Sequence, residues 1–199
     1  MIDVKVDGGA RPYGSLVLGV GHDVVDVAAF GDQLREPGSR FRALFSVREL
    51  RQAAARARVK HDDEAAHLAV RWAGKEAVLK AWCEALGERP YPYTLDDFPW
   101  AQVEIVDDQS RSRPRVMLAP DCEAMLLKSL GAQRTETTDT DKTPSGVAVS
   151  EESASDEDLL AFGEQLLGAD PPKLRWHVSL SHDGPVASAV VLLVSDFER

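Results

Sequence analysis

The chain has 199 residues, 44% of them hydrophobic and 28% charged, enough for one good-sized globular domain with appendages. No apolar run approaches the roughly 20 residues that span a bilayer, and the opening "MIDVKVDGGARPYGS" lacks the basic start and apolar core of a secretory signal, so neither a membrane protein nor a secreted one is expected. The net charge of −10 is unevenly placed: residues 135–170 carry −9, whereas residues 35–60 hold eight Arg or Lys against Glu36 and Glu49, a section suited to an acidic partner or, more plainly, to a solvated helix face.

Residues 1–14 read as a flexible extension. "SLVLGVGHDVVDVAAF" then gives a strand over 16–22, whose Gly19-x-Gly21 could make a tight turn, a short link, and a helix over 25–35, ended by "EPGS". Ser46 followed by Glu49 is a capping box opening a helix over 47–57. "HDDE" precedes a long helix over 63–86, stopped by Gly87 and Pro90. Alternation in "AQVEIVDD" and "PRVMLA" predicts a hairpin of strands 101–107 and 114–119, followed by a helix over 120–130. Residues 133–172 are an acidic, low-complexity insert, too poor in large apolar groups to order itself, with "DEDLLAFGEQLLG" as a short amphipathic helix inside it. "RWHVSLSH" and "VASAVVLLV", joined by "DGP", close the chain as a second strand pair. The expectation is α+β: a small antiparallel sheet packed with helices, one of them long and central, in a single domain over 15–199 interrupted by the insert. Cys83 and Cys122 are too few for a disulfide framework and read as reduced thiols in a cytoplasmic protein.

The long helix poses a chemical question. "RWAGKEAVLKAW" holds Arg71, Lys75, Glu76 and Lys80 within ten residues of a largely apolar stretch. Glu76 and Lys80 share a face, and so do the like-charged Arg71 and Lys75. Such a set is either a surface salt pair with snorkelling cations or a wall facing a phosphate or metal. Asp23 ends the first strand, where it is either a helix N-cap or a ligand, and Asp26 follows three residues later. Hard oxygen donors such as Asp23 and Glu76 suit Mg²⁺. On the last strand pair His182 shares a side with Val178 and Leu180, and His177 points the other way. His22, His61 and His67 show no zinc-site spacing.

Taken in order, "GVGHDVVDV", "FRALFSVREL", "RWAGKEAVLKAW" and "HVSLSHDGPVASAVV" resemble the 4'-phosphopantetheinyl transferases, and among them the small holo-acyl-carrier-protein synthase branch, with wording similar to actinobacterial versions. The hallmarks stand at Gly21-His22-Asp23, at Trp72 to Lys80, and at Val178 to His182, and the likeness covers about 16–131 and 174–195. It implies transfer of the phosphopantetheine arm of coenzyme A to a serine of an acyl carrier protein, with release of 3',5'-ADP, in the service of fatty acid biosynthesis. By the same resemblance Asp23 and Glu76 hold Mg²⁺, Asp23, Glu76 and Lys80 are catalytic, and Arg71, Lys75, Lys80 and His182 bind the nucleotide and its phosphates. The base for the serine is Glu76 or a metal-bound water. A homotrimer with active sites between neighbours is implied, with Arg35, Arg40 and Arg42 contacting an acidic carrier protein or the carrier domain of a fatty acid synthase, and with no nucleic acid or membrane partner. The first helix departs from the family in carrying Ala29 and Phe30 where a basic residue is expected. Two other readings compete. One is a catalytically inactive scaffold of the same fold that binds coenzyme A or a carrier. The other is an acidic metal-binding module working through the insert.

Overall fold

A computed structural model of the chain describes residues 13–108, 113–131 and 173–198. Strand β1 (Tyr13–Asp26) runs directly into helix α1 (Val27–Arg35). A 3-10 turn (Phe41–Leu44) leads to α2 (Val47–Lys60) and the 23-residue α3 (Glu64–Leu86). After a second 3-10 turn (Trp100–Gln102) come the hairpin strands β2 (Val103–Asp107) and β3 (Pro114–Leu118), then α4 (Pro120–Ser129). Strands β4 (Lys173–Asp183) and β5 (Val186–Glu198) complete an antiparallel sheet in the order β1-β5-β4, while β2 and β3 form a separate two-stranded sheet. The α+β architecture with a long central helix is as expected. The insert and its short helix, and most of the N-terminal extension, lie outside the described residues.

Two expectations change. The first strand is not 16–22 but the whole of Tyr13–Asp26, so Tyr13 and Gly14 belong to it and no link separates it from α1. Gly19 and Gly21 therefore make no turn. They lie within β1 on the face that meets α3, where a Cβ at Gly21 would sit 1.8 Å from the Ala77 carbonyl oxygen and one at Gly19 would sit 2.1 Å from that of Ala81. Only glycine permits backbone-to-backbone approach this close.

Helix α3 is apolar nearly all round because it is covered on both sides. Ala73, Ala77, Ala81, Trp82 and Leu86 are buried against Val191 and Leu193 of the sheet, Val103 and Ile105 of the hairpin, and Leu126 of α4. Its N-terminal half packs with Phe30 and Phe45 in a second cluster. Caps agree with local sequence: the Ser46–Glu49 capping box opens α2, Asp63 accepts from the Ala65 N–H to open α3, and Gly87 at φ 58° closes it. Asp26, not Asp23, is the N-cap of α1, accepting from the Ala29 N–H at 2.9 Å.

Candidate active site

The site grows from the glycine contact. Alternation along β1 places Asp23 on the same inward face as Gly21, beside the next turn of α3, where it is 7% exposed. Glu76 and Lys80, one helical turn apart, meet it there. The Lys80 ammonium donates to Asp23 Oδ1 at 2.7 Å and to the His22 carbonyl at 3.1 Å. An ammonium has three N–H bonds, so one remains for a ligand, and the Lys80 side chain is half exposed. Burial, reinforced by a hydrogen bond and charge from Asp23, pushes the Glu76 carboxyl up to about 7, against the pull of Lys80 and Trp72.

Arg71 and His182 lie on the other flank of α3. In the sheet register Asp23 and Leu180 both face Ala189, whereas Val25 and His182 both face Ala187. Asp23 and His182 thus share a sheet face two strands and one two-residue step apart, roughly 12 Å between Cα atoms. Arg71 is buried. It donates to the His67 carbonyl at 2.9 Å and to Asp107 Oδ2 at 3.2 Å, and desolvation lowers its pKa. His182 joins Arg56, Lys60, His67 and Arg71 around a cavity of about 440 Å³, with Asp107 pairing both arginines on its wall, so the lining stays basic on balance.

Among the described residues, two buried side-chain polar atoms have no hydrogen-bond partner: Asp23 Oδ2 and Arg71 Nε. Buried polar groups are almost always satisfied, and each exception needs an explanation. Here one falls in each flank, an acceptor beside Glu76 and a donor beside the basic cavity. That is the pattern expected of a site waiting for a cation on one side and an anion on the other.

Lys75 is the correction among the sequence-expected site residues. It is fully buried and turned away from phosphate, because all three of its N–H donors are spent. One pairs with the equally buried Glu49 at 2.9 Å, one reaches the Trp100 carbonyl at 2.7 Å, and one the Val103 carbonyl. Glu49 also accepts from the Ile105 and Ser46 N–H groups. The like charges of Arg71 and Lys75 are therefore reconciled by two protein carboxylates, Asp107 and Glu49, rather than by substrate. Sequence reasoning saw Glu49 only as a cap. Its second partner lies 26 positions away on another helix, and no local pattern marks that pairing. Arg56, Lys60, His67 and Asp107 were missed for the same reason.

The remaining candidates sit apart. Arg35, Arg40 and Arg42 are exposed along the end of α1 and the turn after it, with Arg35 near Asp32 and Arg42 bonded to Glu64 at 2.8 Å. His177 is exposed on the opposite sheet face from His182. His22 faces outward with its ring 3.1 Å from Ser188 Oγ. Trp82 is a packing residue as expected, against Tyr93 and Phe98, whereas Trp72 packs against Phe41 and Trp100 and also hydrogen-bonds the Glu76 carboxyl.

Residues 19–140 match the model of the 4'-phosphopantetheinyl transferase superfamily. The chain belongs to that superfamily. A holo-[acyl-carrier-protein] synthase of Bifidobacterium adolescentis is 46% identical over 186 residues, covering 89% of this chain and 99% of the relative. One from Mycobacterium leprae is 31% identical over 178 residues, covering 89% of this chain and 96% of the relative. Among solved structures, the "Chronobacterium ammoniagenes ACPS-CoA complex" superposes with a TM-score of 0.61 at 28% identity, covering 88% of this chain and 95% of that one.

The two carboxylates fit a divalent cation on chemical grounds. When both carboxylates are charged, Asp23 Oδ2 is buried without a donor and Glu76 is desolvated beside it, an arrangement a cation between them would relieve. Among the described residues no group of three or more His, Cys, Asp or Glu is arranged for a metal. A cation here would hold two protein carboxylates and complete its shell from solvent and substrate, which is the habit of Mg²⁺ rather than of zinc.

Proposed function

We propose that this chain is a holo-[acyl-carrier-protein] synthase, which moves the 4'-phosphopantetheine group of coenzyme A onto a serine of an apo acyl carrier protein or carrier domain. The serine oxygen forms a new bond to the phosphorus bearing the pantetheine arm. The bridging bond of the pyrophosphate breaks, and 3',5'-ADP leaves. The observation that carries this reading is the pair of unpartnered buried atoms, Asp23 Oδ2 and Arg71 Nε, one in each half of the motif set. The names of the relatives and the coenzyme A complex of the solved neighbour support it.

In this reading Asp23 and Glu76 hold Mg²⁺, which neutralises the pyrophosphate and polarises the phosphorus when bound. Lys80 turns its free N–H to a phosphate oxygen while its other two fix Asp23 and the β1 backbone, so the cation and carboxylate are held in register before substrate arrives. Glu76 is the protein group placed to take the serine proton. Arg71 and His182 bind the phosphates of the nucleotide. Arg35, Arg40 and Arg42 meet the acidic surface of the carrier.

Helix α3 stands between the two halves, so one copy offers a cation half on one flank and an anion half on the other. Among the described residues nothing covers the outer face of the sheet, where Val20, Val24, Val186 and Val190 are between 41% and 55% exposed. Both features favour a homotrimer in which half-sites of neighbouring copies meet and that face is buried. The free cysteines, Cys83 and Cys122, accord with a cytoplasmic location. The intact Asp23–Glu76–Lys80 cluster favours turnover over an inactive scaffold.

Mass spectrometry tests the reading. An apo carrier mixed with the protein, coenzyme A and Mg²⁺ gains about 340 Da, the mass of the transferred arm. No gain on any apo carrier, free or within a large synthase, refutes it.

A further inference from the structure

The ring packed against His182 is itself a histidine with no role so far. His67, on α3, is 5% exposed, and its Nε2 lies 2.8 Å from Asp62 Oδ1. Its ring stands perpendicular to that of His182, with centroids 5.6 Å apart and an interplanar angle of 90°. Among the described residues this is the only ring contact His182 makes, and its nitrogens have no protein hydrogen bond. A histidine χ2 is a broad, roughly two-fold torsion. An exposed imidazole at a strand end would otherwise present either nitrogen, or neither, to the cavity shared with Arg56, Lys60 and Arg71.

The base beneath His67 is firm. Asp62 lies in the short connection between α2 and α3, and its N–H donates to the Ala57 carbonyl at 3.2 Å. His61 before it takes the left-handed conformation at φ 56° to close α2, and Asp63 after it caps α3. Two helix ends thus fix the Asp62 backbone that carries the carboxylate. The carboxylate requires a proton on His67 Nε2, which sets how that ring is turned. The His67 ring in turn walls one side of His182.

We propose that His67, held by Asp62, is a positioning residue that keeps one ring nitrogen of His182 aimed into the basic cavity. This rests on the reading of His182 as a nucleotide-phosphate ligand. The Asp62–His67–His182 series acts before binding. It lowers the orientational freedom that a phosphate would otherwise have to remove on arrival.

The test joins nitrogen NMR of the His182 ring with steady-state kinetics on the full-length protein. In His67→Ala the His182 ring signals shift towards those of a freely exchanging imidazole. The KM for coenzyme A rises about tenfold, less than the roughly hundredfold that an ångström of misplacement can cost. The kcat and the KM for the carrier stay the same. His67→Phe keeps the wall but drops the bond to Asp62, and Asp62→Asn keeps the ring but weakens its anchor. Both give smaller shifts in the same direction and cover the case in which His67→Ala fails to fold. Adding His67→Ala to His182→Ala produces no further rise in KM. Unchanged His182 signals in folded His67 and Asp62 variants, or a KM rise that simply adds to that of His182→Ala, overturn the proposal. If His182→Ala itself leaves the KM for coenzyme A unchanged, the ligand reading of His182 fails, and the ring signals alone still decide whether His67 positions it.

Discussion

Lys75 and Lys80 stand on the same helix, five residues apart, and have opposite fates. Lys75 is wholly buried, and its three donors are spent on Glu49 and two carbonyls. Lys80 is half exposed, and two of its three donors hold Asp23 and the β1 backbone. Burial pulls the Lys75 ammonium down from its ordinary value while Glu49 pulls it back. The difference separates a cation wholly used by the fold from one that keeps a donor, the one the proposed function assigns to substrate. In one apolar helix the dividing line is whether a protein acceptor exists for every donor.

The sharpest way to break that comparison is Lys75→Met. It leaves Glu49 charged and buried without its cation, and the expected loss is about 3–5 kcal/mol in denaturant melts. Lys75→Met with Glu49→Gln recovers much of that loss, whereas Lys80→Met, which removes a half-exposed cation from the buried Asp23, costs less than Lys75→Met. If Lys75→Met melts like wild type but no longer binds coenzyme A, the division of roles is inverted.

A second effect separates the carboxylates. The folded-state value for Glu76 is about 7 against an ordinary 4.5. Between those pH values the unfolded chain has released the proton and the folded, metal-free chain retains it. The stabilising contribution is therefore complete below pH 4.5 and is lost as pH rises towards 7. Thermal melts in chelator should show Tm falling across this window, and Glu76→Gln should flatten the slope. A Tm that rises through the window contradicts the burial of Glu76 beside Asp23.

The smallest effect is at the surface. Arg35→Ala, Arg40→Ala and Arg42→Ala each raise the carrier KM by about two- to fivefold, with kcat unchanged, and salt shrinks the difference. Kinetics at two ionic strengths check this. No effect from all three together removes this face from carrier binding.

Much of the fold was legible in the sequence. Capping at Ser46, the stop at Gly87 and alternation in the hairpin and final strands bring their elements within a few residues of their observed bounds. The first strand was not, because two glycines in "GVGHD" read as a break when nothing in the sequence shows a helix pressed against them. Glu76 and Lys80 were legible as a pair because helical spacing puts them on one face, whereas Asp23 joined them only through the resemblance to the superfamily, since its place on the inward face of β1 depends on a strand longer than the sequence reading gave. Lys75 was misassigned because its neutralising partner comes from another helix and its other acceptors from backbone carbonyls around β2. The Asp62–His67–His182 series was invisible for a related reason: its last member is joined only by the pairing of β4 with β5.

The central claim is that Asp23 and Glu76 together hold the cation on which transfer depends, and Glu76→Gln tests it most directly. The substitution keeps shape and removes charge. The measurement is the rate of mass gain on apo carrier protein with coenzyme A and Mg²⁺, made on a variant whose melt shows it folded. The predicted result is a rate lower by at least about a hundredfold, on the scale of losing one preorganised electrostatic group. A folded Glu76→Gln protein that modifies the carrier at the wild-type rate contradicts the account.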